Sequence, residues 1–262
     1  MATIHPTAII EPGAQLGENV TVGPYSIVRE HVSIGEGTAV GPHVVIEGRT
    51  TIGRDNRIFQ FASLGAISQD KKYAGEPTEL RIGDRNTIRE FTTFNIGTVQ
   101  GGGLTSLGDD NWMMAYTHLA HDCKVGSKTI FANNAQIAGH VEVGDWVILG
   151  AYTAVHQFVK LGAHAMTGMG TILTQDVPPY AMVSGHPAAA RSFNLEGLRR
   201  RGFSAERIGA IRQMHKLIYR SGHTLDEAIV AVRALADTTP EAAGDATAMA
   251  DFLAGASRGI VR

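Results

Sequence analysis

The run from Ile4 to Val40, IHPTAIIEPGAQLGENVTVGPYSIVREHVSIGEGTAV, repeats itself every six residues. A step of six from Ile4 lands on Ile10, Leu16, Val22, Val28, Ile34 and Val40, and continues through Ile46, Ile52 and Ile58 to Leu64 without meeting a polar side chain. The series resumes at Ile82, Ile88 and Phe94. After a shift of phase it runs from Leu107 through Met113, Leu119, Val125, Phe131, Ile137, Val143, Leu149, Val155 and Leu161 to Leu173, with Thr167 its one polar member. Two residues ahead of these positions stand smaller ones, as at Ala8, Ser26, Thr38, Cys123 and Ala135. A period of six matches neither a helix nor an isolated strand. It matches short flat strands, one per hexad and three per coil, stacked as a parallel β-helix whose rungs lie about 4.8 Å apart. Glycine follows the aliphatic residue at Gly17, Gly23, Gly35, Gly41, Gly53, Gly126, Gly144 and Gly150, which suggests corners that need a permissive backbone.

Composition agrees. Of 262 residues 44% are hydrophobic but only 6% aromatic, so the interior is expected to hold small aliphatic side chains in a prism too narrow for rings. Lysine and arginine number 23 against 25 acidic residues, which removes the global basicity of a nucleic-acid coat. The single cysteine excludes an intramolecular disulfide framework and suits a reducing, cytoplasmic compartment. The amino terminus lacks the charged start and apolar run of a signal peptide, and no stretch approaches the about 20 apolar residues of a membrane span.

Two interruptions must leave the prism. Between Leu64 and Ile82 the sixth positions are Asp70 and Glu76, which cannot line an apolar core, so an external loop is expected near residues 66–79. A second, near residues 95–106, contains Gly101, Gly102 and Gly103 and breaks the phase. Long excursions from a regular scaffold usually serve function. The β-helix is assigned to residues 1–190 and a helical domain to residues 191–262. Ser204 opens one amphipathic helix. Thr224 with Glu227 forms a capping box for the next, and Thr239 with Pro240 reads as cap and first position of a third reaching Phe252. This tail would cap the open end of the prism.

Histidines concentrate where chemistry is expected. His121, His140 and His156 lie in hexads spaced 18 residues apart, hence on one face of successive coils, and His118 falls at the corner entering the first. Gly139 occupies the place of His121 one rung on, so its backbone N–H would lie open beside the imidazole: a general base next to an oxyanion donor. Asp122 could orient the ring. Cys123 sits at the small inward position and reads as core, not nucleophile. The same imidazoles could hold zinc, while Arg199, Arg200 and Arg201 at the junction with the tail are candidates for a diphosphate.

The strings QDKKYAGEP (69–77), NIGTVQGGG (95–103), HLAHDCKVG (118–126), AGHVEVG (138–144), VHQF (155–158), QDVPPY (175–180) and NLEGLRRRGF (194–203), set in this hexad array, resemble the UDP-N-acetylglucosamine O-acyltransferase family of lipid A biosynthesis. The resemblance runs from the first hexad to the last arginine. It implies a mainly β fold, a left-handed parallel β-helix against the usual right-handed crossover rule, with a C-terminal α-helical domain. It also implies a homotrimer with sites between subunits, no cofactor and no metal. Its substrates would be UDP-N-acetylglucosamine and a 3-hydroxyacyl acyl carrier protein. It makes His121 the general base with Asp122 as orienting partner, and Gly139 the oxyanion donor. Asp70, Lys72, His118, His140, His156 and Gln157 match positions around the sugar and acyl hydroxyl; Asn194, Glu196, Arg200 and Arg201 match the uridine diphosphate contacts. Met169 stands where some members carry glycine at the end of the acyl tunnel, which suggests a shorter chain. Arg207, Arg212, Lys216 and Arg220 would steer an acidic carrier protein.

Three alternatives are open. A zinc hydratase similar to the gamma-class carbonic anhydrases shares the fold but lacks the two loops and the arginine junction. A purely structural scaffold leaves the histidine cluster unexplained. The sister N-acyltransferase carries an extra amino-terminal domain, whereas here the hexads begin at Ile4.

Overall fold

The computed structural model describes residues 1–262. From Thr3 to Phe193 most elements are two-residue strands between tight turns. The strands form three flat faces of 11, 9 and 8 members, in which parallel neighbours come from successive coils. Register is in phase along each face: Ile4 pairs with Val22, Val22 with Val40, Val40 with Ile58, Ile58 with Ile88 and Ile88 with Met113. From the second coil to strand Ile172–Leu173, the second residue of a strand points inward and is buried, as at Val28, Ile34, Val40 and Ile46.

The corners correct the expectation about glycine. Tyr25, His43, Phe61, Trp146 and Tyr152 take positive φ near 60°, whereas Gly23, Gly35 and Gly144 do not. Those glycines answer a different need. A Cβ at Gly23 would meet the backbone of Gly41 and Pro42 at 2.8 Å, one at Gly35 the backbone of Gly53 at 2.6 Å, and one at Gly144 the nitrogen of Ala163 at 2.7 Å. Glycine is therefore required by the close approach of adjacent coils, and the strained turn falls two residues later.

The aromatic residues explain how that strain is tolerated. A left-handed conformation costs a non-glycine residue about 1–2 kcal/mol, and a stacked aromatic pair returns about 0.5–1.5 kcal/mol beyond its buried area. Tyr25, His43, Phe61, Phe91 and Tyr116 form one continuous stack at the edge between the first and second faces, with ring centroids 4.8 to 5.2 Å apart. Rings are not excluded from the prism either: Phe94 and Phe131 are fully buried in it. At another internal corner a buried asparagine ladder holds successive backbones. Asn56 Oδ1 accepts from the Asn86 N–H (2.9 Å), Asn86 Oδ1 from the Asn111 N–H (2.8 Å), and Asn111 Oδ1 from the Thr129 N–H (2.8 Å).

Both excursions leave at one edge, between the second and third faces. The first joins strands Ser63–Ala66 and Glu79–Ile82. The second is shorter than expected: strand Leu104–Leu107 already pairs with Glu79–Ile82, so only 96–103 lies outside, folded as a 3-10 turn over Val99–Gly101.

The last coil is closed by the antiparallel strand Ala189–Phe193 and four helices: α1 (Leu195–Arg200), α2 (Ala205–Tyr219), α3 (Leu225–Thr238) and α4 (Ala243–Ala254). The capping box of Thr224 and Glu227 is present. Thr239 makes no side-chain cap; Pro240–Ala242 is a 3-10 turn, and α4 begins only at Ala243. Asp245 anchors the helices to the solenoid, accepting from Tyr180 Oη at 2.8 Å and from two guanidinium nitrogens of Arg207, each at 2.8 Å. The chain end plugs the prism: the Val261 N–H donates to Asp176 O, and Val261 is buried in the solenoid core. No helix is long and apolar enough to cross a membrane.

His164 is stacked between Trp146 and Tyr180, with Phe203 edge-on. Burial, helped by the Arg201 guanidinium, holds it down from its ordinary 6.5 to about 4. The folded chain resists protonation here and the unfolded chain does not, so this contribution is complete above about pH 6.5 and is lost as pH falls toward 4. The thermal midpoint should therefore fall across that window, and fall less steeply in His164→Phe, which keeps the stack but cannot titrate. Parallel curves for the two proteins would refute this.

Candidate active site

At the edge where the second face turns into the third, successive corners carry Asp122, His140 and Phe158 with φ of 60°, 62° and 66°. His121, Gly139 and Gln157 precede them, one above another. Coil stacking alone thus sets an imidazole against a glycine. A Cβ at Gly139 would lie 2.5 Å from His121 Cε1 and 2.6 Å from Nε2, so only glycine leaves room for the ring. Gly139 is itself buried, and its N–H makes no hydrogen bond within the chain. Here it is ready to meet a negative oxygen.

His121 Nδ1 lies 2.8 Å from Asp122 Oδ2. A carboxylate only accepts, so this bond assigns the hydrogen to Nδ1 and leaves the Nε2 lone pair free toward the groove. The Asp122 side chain is 1% exposed and that of His121 14%. Asp122 is held by the second excursion and the strand that follows it: Oδ1 accepts from the Thr98 N–H at 2.8 Å, Oδ2 from Thr98 Oγ1 at 2.6 Å, and its own N–H donates to Thr105 Oγ1 at 2.8 Å. Neither threonine stands out in the sequence, because the phase shift hides which coil they face.

An open groove of about 750 Å³ brings Asp70, Lys72, His118, His121, Gly139 and Gln157 together, with Ile137, Ala154 and Val155 as apolar floor. Asp70 Oδ1 accepts from the Lys72 N–H at 2.9 Å, and Asn95 Nδ2 donates to Ile67 O at 3.0 Å, tying the first excursion down. His118 is not at a corner. It is the outward residue of strand His118–Leu119, paired through Nδ1 with Thr93 Oγ1 at 2.7 Å. Burial pushes His118 below its ordinary value; it does the same to His140, against the pull of Asp122. His140 stands edge-on to His121, centroids 5.1 Å apart, and stacks on Phe158. His156 remains exposed on the next coil, its Nδ1 3.2 Å from Gln157 O. Burial lifts the Cys123 thiol to about 12, which disqualifies it as a nucleophile.

Ligand atoms of His121, Asp122 and His140 come within 4.8 Å of one another, the one cluster that could hold a metal. Both Asp122 oxygens are already engaged by Thr98 and His121, and the 2.8 Å contact is a hydrogen bond, so the residues are arranged for proton transfer. The nucleotide candidates sit elsewhere. Asn194 caps α1, accepting from the Gly197 N–H at 3.1 Å, and Glu196 pairs with Arg200 at 3.0 Å. Arg199 and Arg200 end that helix. Arg201 turns inward to His164 Nδ1 (2.9 Å) and Trp146 O (3.1 Å). This group lies at the edge between the third and first faces, away from His121. Met169 is 77% exposed at the edge between the first and second faces, across the second face from His121.

A stacked-hexad β-helix with a carboxylate-held imidazole against an open glycine N–H is the architecture of a hexapeptide-repeat acyltransferase. Residues 176–261 match the model described as UDP-N-acetylglucosamine O-acyltransferase, domain 2. Over 264 residues, covering 100% of both chains, the sequence is 64% identical to the acyl-(acyl-carrier-protein)–UDP-N-acetylglucosamine O-acyltransferase of Albidiferax ferrireducens. LpxA from Acinetobacter baumannii is 46% identical with a TM-score of 0.95 over 99% of each chain, and the UDP-N-acetylglucosamine O-acyltransferase (LpxA) from Moraxella catarrhalis 43% identical with a TM-score of 0.95 over 99% of each. The chain belongs to the acyl-(acyl-carrier-protein)–UDP-N-acetylglucosamine O-acyltransferase family, and its β-helix is left-handed. These relatives give no support to the zinc hydratase.

The space around Gly139 yields a direct test. Gly139→Ala should drive the imidazole off its seat and lower acyl transfer by roughly 100-fold, the usual penalty of a displacement of about 1 Å in a catalytic group, while the far-ultraviolet circular dichroism stays that of the wild type. Full activity in the variant would show that the ring does not work from this position.

Proposed function

We propose that this chain moves a 3-hydroxyacyl group from acyl carrier protein to the 3-hydroxyl of UDP-N-acetylglucosamine, the first step of lipid A biosynthesis, with His121 as general base. The observation that carries the reading is the set of Asp122, His121 and Gly139: an oriented base with a free Nε2 beside an unused N–H in the groove. His121 Nε2 takes the proton as the sugar oxygen attacks the thioester carbonyl. The carbonyl oxygen becomes an oxyanion held by the Gly139 N–H. The carbon–sulfur bond then breaks, and the carrier thiolate recovers the proton from His121. Asp122 stabilises the imidazolium formed in between. No cofactor is required.

Asp70 and Lys72, with His118, His140, His156 and Gln157, hold the sugar and the acyl hydroxyl. Lowered by burial, His118 and His140 act as neutral hydrogen-bonding groups. Asn194, Glu196 and Arg200 bind the uridine diphosphate, with Arg201 positioned behind them. Because these residues and His121 occupy different edges of one prism, a complete site needs a second copy, which supports a homotrimer with sites between neighbours. Arg212, Lys216 and Arg220 line a basic recess beside α2 suited to an acidic carrier; Arg207 is committed to Asp245. The reaction belongs in the cytoplasm, where acyl carrier thioesters are made.

The purified protein should release carrier thiol when given UDP-N-acetylglucosamine and a 3-hydroxyacyl carrier thioester. His121→Ala should lose about 10²–10⁴ in kcat, the contribution of a general base, and Lys72→Ala far less, mainly in KM. No release with any acyl length would end this reading. Across a ladder of acyl lengths, Met169→Gly should shift the preference to longer chains; an unchanged preference would remove Met169 from the tunnel.

A further inference from the structure

Asp122 is the sole ionisable partner bonded to the imidazole, and it is enclosed by a turn with no part in the solenoid. Resting on the acyltransferase reading above, we infer that Thr98 is a positioning residue for the His121–Asp122 pair and that the excursion of residues 96–103 exists to seal it. Thr98 is 2% exposed and Asp122 3%. Thr98 grips both carboxylate oxygens, Oδ1 through its N–H and Oδ2 through its hydroxyl. The direction of that hydroxyl is set, because Thr98 Oγ1 also accepts from the Gly101 N–H at 3.3 Å, which turns its hydrogen toward Asp122. The turn closes directly on the carboxylate: a Cβ at Gly101 would fall 2.0 Å from Asp122 Cγ, and one at Gly97 2.9 Å from Oδ1. No other residue type fits at Gly101 without expelling the carboxylate. From below, Thr105 Oγ1 fixes the Asp122 N–H, and Thr78 Oγ1, at the end of the first excursion, donates to Gly97 O at 2.6 Å.

The need for such a clamp follows from the neighbouring ring. His140 Nδ1 lies 3.9 Å from the same Oδ2 that His121 uses at 2.8 Å. An unrestrained carboxylate has two imidazoles within reach, and only the bond to His121 leaves the basic Nε2 facing the groove. The two bonds from Thr98 set the carboxylate plane so that His121 is chosen.

The experiment compares wild type, Thr98→Val, Thr98→Ser, Asp122→Asn and the double variant Thr98→Val/Asp122→Asn in the thiol-release assay. Thr98→Val is isosteric and keeps the N–H bond. It should lower kcat by roughly 10- to 100-fold, the weight of one buried hydrogen bond to a charged group, with KM for the nucleotide sugar within about twofold of wild type. Thr98→Ser should restore most of kcat. In the Asp122→Asn background Thr98→Val should cost almost nothing more, since its effect passes through the carboxylate. The downfield Nδ1–H resonance of His121 in proton NMR should weaken in Thr98→Val and return in Thr98→Ser. Unchanged kcat in an active Thr98→Val protein, additive losses in the double variant, or equal losses in valine and serine forms would each overturn the inference and leave the acyltransferase reading intact. Absence of wild-type turnover would instead strike that reading, and the NMR comparison would still decide whether Thr98 orients the pair.

Discussion

Every coil of this prism must lie on the one beneath it at the spacing of a parallel sheet, so each backbone position is repeated 18 residues later with almost no lateral freedom. That constraint accounts for most of the sequence. It places aliphatic residues inside at every sixth position and leaves no room for a Cβ at Gly23, Gly35 or Gly144. It also strings residues of positive φ along each edge. Such corners are individually unfavourable; stacked in ladders they support one another, as the rings from Tyr25 to Tyr116 do.

The same constraint builds the site. Once His121 occupies a corner, the residue one coil on must be its neighbour, and glycine there leaves both space and an unused N–H. Chemistry then enters where the repeat is broken. Both excursions depart at the edge that bears His121: the first forms one wall of the groove, and the second seals Asp122. A regular solenoid offers flat faces only, so concavity and a water-free carboxylate both depend on chain that has left the register.

The helical cap serves the solenoid and the site together. Its helices are fastened through Asp245 to Tyr180 and Arg207, and Arg201 reaches back across Trp146, with its guanidinium carbon 4.8 Å from the ring centroid. The junction carrying Asn194, Glu196 and Arg200 is thereby fixed at its own edge of the prism. A near-neutral chain in this way gathers cations locally, with Lys72 in the groove and Arg212, Lys216 and Arg220 along α2.

Much of this was legible in the sequence. The hexads, the two excursions, the outward histidines and the pairing of His121 with Gly139 all follow from counting, because stacking converts a separation of 18 into contact. Other features were not legible. His118 belongs to a strand and not to a corner, Arg201 points into the protein, the corner glycines serve close approach and not positive φ, and Thr98 finds Asp122 across a phase shift that counting cannot cross. The periodicity by itself determined the architecture and set His121 against Gly139, since both depend on a repeating local pattern. Only the tertiary structure decided which nitrogen of His121 is free and what holds its carboxylate, because those depend on contacts made by chain outside the repeat.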